Sequence, residues 1–284
     1  MLHAYGRAAL GAALTIAASL AILGLGLRPA LAGAFEDAQA RGRLLVGVRA
    51  DYPPYAFIDS DGRNAGFEID IAKFLALRLM GSENRLKLVP VTGSRRIKAL
   101  GEKRVDMVIA SLATTDDRKA QILFSEPYYA SGVGLLARKD APLRAWADLR
   151  RRRVCAIEGA GYDEQLVQFG ADMLRFPAAP AVFKALREGQ CEGLAYDDSA
   201  LAARLTEADC SAEYRLALAP IQVVPWAIGL RRDDEASRTL VNPIVVEMEQ
   251  TGFIVALEAK WRLPPSAYAR DRMERLRRAP VQNR

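Results

Sequence analysis

Short apolar runs that end in polar or glycine-rich turns recur along this chain of 284 residues, and segments with helical spacing lie between them. The first three runs cover Leu44–Val48, Leu86–Pro90 and 105–109, and a long helix is predicted over 66–77. Further strands are predicted at 132–137, Arg153–Ile157, 193–196 and 221–230, and further helices at 163–169, 179–188 and 236–251. This alternation predicts an α/β fold, and open α/β sheets bind ligands at the carboxyl ends of their strands.

The first 32 residues have the pattern of a secretory signal peptide. Arg7 precedes an apolar stretch over 8–27, and Ala30-Leu-Ala32 provides the small residues of a cleavage site. An apolar run of about 20 residues also suffices to span a bilayer, so a membrane anchor is the alternative. The Ala-x-Ala site favours cleavage, and no cysteine follows it to carry a lipid. We therefore expect an exported, periplasmic protein that is not a lipoprotein.

The amino-acid composition excludes several kinds of catalytic site. The single histidine, His3, lies in the predicted signal peptide. The mature chain therefore lacks the histidine of Ser-His-Asp and Cys-His sites, and its three cysteines are too few for a Cys₄ metal site. We predict no catalytic residue, metal or cofactor. The formal net charge of +6 is dispersed except at 150–153 and 270–284, where no aromatic residues interleave, so nucleic-acid binding is not expected.

The three cysteines bear on the stability of an exported chain, where cysteines are often paired. Cys155 lies in the predicted strand Arg153–Ile157, and Cys191 opens the strand that leads to Asp197. If these strands are neighbours in one sheet, a Cys155–Cys191 disulfide is feasible. A Cys191–Cys210 pair and three free buried thiols are the alternatives.

One cluster of residues indicates a carboxylate-binding site. The predicted strand 105–109 runs into Ala110-Ser-Leu-Ala-Thr-Thr-Asp-Asp-Arg118, which combines hydroxyl groups, a helix start and an arginine. Helix N–H groups attract anions, and a guanidinium pairs with a carboxylate through two parallel hydrogen bonds. The alternative is a surface arginine that caps its own turn. The cluster therefore predicts a socket for the carboxylate of a small molecule.

From about residue 42 to 261 the chain resembles the periplasmic solute-binding proteins for polar amino acids, family 3, and most of all their glutamate/aspartate-binding members. Six segments carry the resemblance in order: Tyr52-Pro-Pro-Tyr-Ala-Phe57, Gly66-Phe-Glu-Ile-Asp70, Val105-Asp106, Thr114-Thr-Asp-Asp-Arg118, Phe124-Ser-Glu-Pro-Tyr-Tyr129 and Tyr196-Asp-Asp-Ser-Ala-Leu201. The resemblance implies a two-lobed periplasmic-binding-protein fold of type II, with a ligand cleft between lobes joined by a two-strand hinge. It implies a first lobe of 33–131 plus 226–266, a second lobe of 132–225, and a polar, arginine-rich tail over 267–284.

The resemblance assigns Arg118 to the α-carboxylate of an amino acid. Ser111 and Thr115 would donate hydrogen bonds to the same group. The family often has a hydroxyl residue at the position of Ala113, so this chain keeps only a backbone contact there.

An acidic residue at the end of the strand 193–196 would pair with the α-ammonium group of the ligand. We favour Asp197 over Asp198, and whichever does not bind is expected to cap the following helix.

The turn Gly159-Ala-Gly-Tyr162 would supply backbone amides to the carboxylate from the second lobe, through Gly159, Gly161 and Tyr162. The family commonly has a hydroxyl residue here, and a plain tight turn is the alternative. Tyr52 and, less strongly, Phe57 would pack over the aliphatic part of the ligand, although buried aromatic residues are more often simply part of the core.

Two further arginines bear on which amino acid is bound. Arg49 follows the first strand, and Arg96 precedes Ile97 as an arginine does in glutamate/aspartate-binding members. Two cleft arginines beyond Arg118 would favour a second carboxylate on the ligand, whereas solvated surface arginines are the alternative.

The resemblance implies a monomeric binding component of an ABC importer that delivers its ligand to a membrane permease. An enzyme is the first alternative, because the fold also carries a periplasmic cyclohexadienyl dehydratase, for which Glu158, Asp163 and Asp198 are candidate acids. A non-transport accessory or sensor module is the second alternative.

Overall fold

The computed structural model describes residues 33–278, so the predicted signal peptide lies outside the described residues. The strands are β1 (Leu44–Val48), β2 (Asp51–Tyr52), β3 (Ala56–Ile58), β4 (Asn64–Ala65), β5 (Leu86–Pro90), β6 (Met107–Val108), β7 (Leu123–Arg138), β8 (Arg153–Ile157), β9 (Asp172–Phe176), β10 (Gly193–Asp197) and β11 (Tyr214–Leu230). The helices are α1 (Ala34–Arg41), α2 (Phe67–Met80), α3 (Arg96–Gly101), α4 (Asp116–Lys119), α5 (Asp163–Gln168), α6 (Ala179–Arg187), α7 (Asp198–Arg204), α8 (Ala208–Glu213), α9 (Glu235–Thr251), α10 (Phe253–Lys260) and α11 (Ala267–Arg278).

Two long strands run through the centre of the molecule and join its two lobes. The main sheet has the order β5-β1-β6-β11-β7-β10-β8-β9, in which β7 and β11 form an antiparallel pair. The first lobe contains β5, β1 and β6 in parallel, and the second contains β10, β8 and β9 in parallel. A small sheet, β2-β3-β4, belongs to the first lobe. The structure therefore confirms the two-lobed α/β fold.

The predicted strands inside each lobe are confirmed, whereas the strands that join the lobes are longer than predicted. β1, β5 and β8 have the predicted bounds. The strand predicted at 132–137 is the last part of the 16-residue β7, and that at 221–230 is the last part of the 17-residue β11. Polar and small residues at the start of β7 interrupt the apolar run, yet these residues are paired with β11.

The largest buried aromatic side chains gather where these long strands pass. Trp226 of β11 packs against Tyr55 and Tyr129, with ring centroids 4.9 and 5.6 Å away. Tyr129 also packs edge-on against Phe67 at the start of α2. Burial of such side chains anchors the strands that connect the lobes. Within residues 33–278 no single helix is long and apolar enough to cross a membrane, and α9 with α10 meets that test only as a pair bent by 67°.

The disulfide Cys155–Cys191 is confirmed. Its Cα atoms are 5.7 Å apart. The bond is possible because β8 and β10 are neighbours, with Leu194 opposite Cys155 in the register. Cys210 in α8 is a free, buried thiol.

The C-terminal segment is more ordered than the predicted polar tail, because residues 267–278 form α11. Arg272 of this helix forms two hydrogen bonds, of 2.9 and 2.7 Å, with the carboxylate of Glu249 in α9. Glu249 is only 2% exposed, so the arginine supplies the counter-charge of a buried acid. The arginines that suggested a loose tail therefore include one that docks the helix.

Candidate functional site

Polar groups at the strand ends of both lobes meet in the cleft between the lobes. The turns after β1 and β6 supply Arg49 and Ser111 from the first lobe. The turn after β8 supplies Gly159, and β10 ends at Asp197. Hydrogen bonds from Tyr52 and from the cleft arginines cross from one lobe to the other, so the cleft is closed.

Arg118 lies in the cleft at the short helix α4, and only 9% of its surface is exposed. It donates to the carbonyl of Ala113 at 3.0 Å and, across the cleft, to the carbonyls of Gly159 at 2.9 Å and Ala160 at 3.2 Å. Burial lowers the pKa of its guanidinium. Arginine nevertheless has the highest intrinsic pKa of the ionisable side chains. Gly161 permits this approach, because a Cβ there would lie 2.7 Å from Nη2 of Arg118.

Arg96 joins Arg118 at the same carbonyl group. It donates to Gly159 at 3.1 Å and to the carbonyls of Ala110 and Ser111, and it is 2% exposed. Burial, followed by the neighbouring charges of Arg118 and Arg49, lowers the pKa of Arg96 to about 9. Among residues 33–278 neither Arg96 nor Arg118 forms an ion pair. The interpretation of Arg96 and Arg118 as surface arginines is therefore wrong.

Ser111 does not point its donors into the cleft as predicted. Its N–H and its hydroxyl both donate to Oε1 of Glu68, at 2.6 and 3.1 Å, and the hydroxyl of Tyr128 donates to the same oxygen at 2.6 Å. Glu68 is completely buried, and burial raises the pKa of its carboxyl. Ser111 has a left-handed backbone with φ of 48°, which this buried acid helps to hold. The hydroxyl oxygen of Ser111 can still accept a hydrogen bond.

Glu68 is a residue that the sequence interpretation missed. It belongs to the segment Gly66-Phe-Glu-Ile-Asp70, where an acid within an apolar helix face was the available signal.

Asp197 carries the acidic charge of the cleft. The hydroxyl of Tyr52 donates to Oδ2 of Asp197 across the cleft, and the rings of Tyr52 and Tyr196 stack with centroids 4.9 Å apart. Burial raises the pKa of Asp197 to about 7, partly offset by the hydrogen bond from Tyr52. A cationic group beside Asp197 would relieve this cost, because it stabilises the charged form.

Asp198 is held instead by one hydroxyl group and two backbone N–H groups. Its Oδ1 accepts from the hydroxyl of Ser131 at 2.6 Å, from the N–H of Gly132 at 2.8 Å and from the N–H of Ser199 at 2.9 Å. These bonds fix the start of α7 against β7. The two neighbouring acids therefore have different environments, and Asp197 is the one that lines the cleft cavity.

Arg49 is 3% exposed and its charge is already paired. Its Nε and Nη2 donate to the two carboxylate oxygens of Asp51, at 2.8 and 2.9 Å, and its guanidinium lies 4.8 Å above the ring of Tyr52. Burial opposes the charged form, but the hydrogen bonds that Arg49 donates to Asp51, together with the negative charge of Asp51, outweigh it, so the pKa of Arg49 is raised. This partner was not predicted from the sequence, although Asp51 follows Arg49 by two residues.

The closed cleft encloses a cavity of about 20 Å³. Predicted residues from both lobes line it, namely Ser111, Ala113, Thr115, Gly161, Tyr162 and Asp197. Tyr162 donates its hydroxyl to the carbonyl of Ala195 at 3.1 Å, which fixes the ring. Gly159 and Ala160 present carbonyl oxygens to the arginines, a contact that was not predicted, and carboxylate binding by the amides of Gly159, Gly161 and Tyr162 stays a prediction. Phe57 is not brought into this cluster, because it packs edge-on against Trp261.

The three acids considered for a dehydratase are poorly placed for acid catalysis. Glu158 is exposed, Asp163 forms an ion pair with Arg175 at 2.9 Å, and Asp198 is held as described.

Comparison with known proteins identifies the family. The model of the bacterial extracellular solute-binding proteins, family 3, matches residues 44–264. This chain belongs to that family. Its relatives include the L-cystine-binding protein TcyJ of Escherichia coli K12, which is 31% identical over 237 residues, covering 81% of this chain and 86% of TcyJ.

Solved structures of the same fold are also similar. A mutant of ArgBP from T. maritima has a TM-score of 0.74 and 28% identity, covering 81% of this chain and 99% of that chain. An ancestral amino acid-binding protein, AncCDT-1, a precursor of cyclohexadienyl dehydratase, has a TM-score of 0.72 and 26% identity, again covering 81% of this chain and 99% of that chain. This chain is thus an amino-acid solute-binding protein of family 3 with the family's two-lobed fold.

Proposed function

We propose that the protein is the binding component of an ABC importer and that it captures a dicarboxylic amino acid, glutamate or aspartate. The observation that carries this proposal is the pair of buried guanidinium groups of Arg96 and Arg118 at one carbonyl, that of Gly159. Neither forms an ion pair among residues 33–278. Two adjacent cations that are removed from water favour an anionic occupant, because little solvent remains to screen them.

The arrangement supports one orientation of the ligand. Arg118 would bind the α-carboxylate through two parallel hydrogen bonds, with Thr115 beside it. The α-ammonium group would pair with Asp197 and donate to the hydroxyl oxygen of Ser111. The second carboxylate would then lie against Arg96.

Binding would require the lobes to separate and close again. A cavity of about 20 Å³ holds little more than one water molecule, for which roughly 10–15 Å³ suffices, so an amino acid cannot enter the closed form. The register of β7 and β11 shifts between Ile221 and Val224 and again between Trp226 and Ala227. Such irregular pairing beside Ser131 and Pro225 fits a hinge there, as expected from the proposed lobe boundaries. A closed monomer would then dock on the permease.

The test is a binding survey of the mature protein after it has been unfolded and refolded to remove any carried ligand. We expect glutamate or aspartate alone among the twenty amino acids to raise the melting temperature markedly. A ligand at about 1,000 times its dissociation constant adds about 4 kcal/mol of stability. Arg118→Ala should abolish the response to every amino acid.

Arg96→Met tests the proposed contact between Arg96 and the side-chain carboxylate of the ligand. It should weaken glutamate or aspartate at least tenfold, by calorimetry, and reverse the preference over the corresponding amide. Arg95→Ala is the matched control, because the neighbouring Arg95 is exposed, and it should leave the affinity unchanged. A selective response to a neutral or basic amino acid would contradict the acidic specificity and leave amino-acid capture intact.

The transport role has its own readout. Deletion of the gene should abolish uptake of the labelled ligand by cells, and the Arg118→Ala protein should not restore it. Normal uptake in the deletion strain would point to an accessory or sensor role. No response to any amino acid, with turnover of a cyclohexadienyl substrate, would point to the dehydratase.

A further inference from the structure

The start of helix α6 in the second lobe lacks a capping side chain of its own. The residues there are Pro177-Ala-Ala-Pro180, and Ala178 at the cap position has no side-chain hydrogen bond to offer. Ser, Thr, Asp or Asn at this position normally accepts from a free N–H of the first turn.

An acid of the first lobe supplies the missing acceptor. Oδ2 of Asp51, in β2, accepts from the N–H of Ala179 at 3.1 Å, over a sequence distance of 128 residues. Both residues line a cavity of about 520 Å³ on this flank, together with Pro53, Phe183 and Trp261. The contact exists only while the lobes are together, because its two partners belong to different lobes.

The same carboxylate neutralises Arg49 through the two hydrogen bonds described above. The side chain of Asp51 therefore contacts both Arg49, in its own lobe, and helix α6 of the opposite lobe. Separation of the lobes would break the bond to Ala179 and leave the pair with Arg49 intact, since Arg49 and Asp51 belong to the same lobe.

We propose that Asp51 is a positioning residue with two effects: it caps α6 across the cleft and so favours closure with any ligand, and it withholds Arg49 from the ligand. Among the described residues 33–278, this leaves Arg96 and Arg118 as the cleft guanidinium groups without an ion pair. The second effect rests on the proposed amino-acid function. The first does not depend on which amino acid is bound.

Three variants separate the two effects. In Asp51→Asn the side-chain oxygen can still accept from Ala179, since asparagine is a good cap, but the charge on Arg49 is no longer balanced. Ala179→Pro removes the N–H donor and keeps Arg49 paired, and proline suits the first position of a helix. Ala178 before it is already extended, with φ of −148° and ψ of 155°, as a residue before proline should be. Asp51→Ala removes both contacts.

Calorimetry against an acidic amino acid and its amide provides the measurement, with far-UV circular dichroism melts to verify that each variant folds. We expect Asp51→Asn to shift the ratio of the two affinities toward the acidic ligand by about tenfold, as for a new hydrogen bond between charged groups. Ala179→Pro should weaken both ligands by the same factor, about fivefold, as for a lost helix cap. The same proline in the Asp51→Ala background should cost less than twofold, because the contact that it disturbs is already gone.

Each half of the proposal can be overturned separately. An unchanged affinity ratio in Asp51→Asn would refute the control of Arg49, and an equal cost of Ala179→Pro in both backgrounds would refute the cap across the cleft. If the proposed dicarboxylate specificity is wrong, the binding survey of the wild-type protein will show it without any variant. The cap would then be tested with whichever amino acid the wild type binds.

Discussion

Asp197 is the residue where the proposed binding role and the stability of the protein conflict. Burial raises its pKa to about 7, far above the value of 3.8 for the free side chain. Above pH 7 the folded protein therefore holds a carboxylate that its surroundings disfavour. The resulting loss of folding stability is largest above pH 7. It declines as the pH falls from 7 to about 4, because over this range Asp197 binds a proton in the folded state but not in the unfolded state.

We therefore expect Asp197→Asn to stabilise the ligand-free protein at pH 8 while it destroys amino-acid binding. The gain should reach at least about 3 °C in melting temperature, the shift that corresponds to about 1 kcal/mol for a chain of this size. It should shrink at pH 6 and vanish near pH 4. Calorimetric melts at these three pH values measure it, with the exposed Asp117→Asn as control. A variant less stable than the wild type at pH 8 would contradict this account of Asp197.

At the scale of single residues, the sequence identified the ligand-facing candidates better than their partners. Arg118, Arg96 and Asp197 lie together as the motifs indicated, because strand ends bring motif residues to one edge of each sheet. The roles of Glu68 and Asp51 were not predictable from their motifs. Glu68 contacts Ser111 and Tyr128, and Asp51 contacts Ala179, all of them far along the chain, and such contacts depend on how the elements pack.

At the scale of elements, hydrophobic periodicity located β1, β5, β6, β8 and β10 and missed β9, the small sheet and α11. That helix has a polar sequence, AYARDRMERLRR, in which the apolar residues Ala269, Met273 and Leu276 form a narrow stripe among many charges. It begins at Ala267, beyond the segment 44–264 that the family shares. Its place depends on ion pairs such as that between Arg272 and Glu249, which periodicity does not register.

Docking of α11 should therefore depend strongly on one of its arginines. Arg272→Ala leaves the buried carboxylate of Glu249 without a counter-charge, which should lower the free energy of unfolding by about 3 kcal/mol. Arg275→Ala, in the same helix but exposed, should change it by less than about 0.5 kcal/mol. Urea titrations followed by circular dichroism provide the comparison, and Glu249→Gln should recover part of the loss when combined with Arg272→Ala. Equal effects of the two arginine substitutions would show that α11 is held in another way.

At the scale of the whole molecule, closure depends on how nearly the backbones of the two lobes can approach. A Cβ at Gly93, in the first lobe, would lie 2.7 Å from the carbonyl oxygen of Glu158 in the second lobe. This distance is too short for real Cβ atoms, and neither partner is a flexible side chain that could move aside. Within the first lobe nothing is as near, since the next atom is Nη1 of Arg49 at 3.6 Å.

Gly93→Ala should therefore impair closure and leave the fold of each lobe intact. We expect the ligand-free melting temperature to stay within about 2 °C of the wild type, and the dissociation constant of the ligand to rise about tenfold, as the 1–3 kcal/mol cost of overpacking implies. Gly101→Ala is the matched control, because a Cβ at that helix end meets nothing within 4 Å. Calorimetric titration of the three proteins with the same amino acid decides the matter. Wild-type affinity in Gly93→Ala would mean that the ligand is held without the approach of Gly93 to Glu158, and the closed cleft would then not be the binding form.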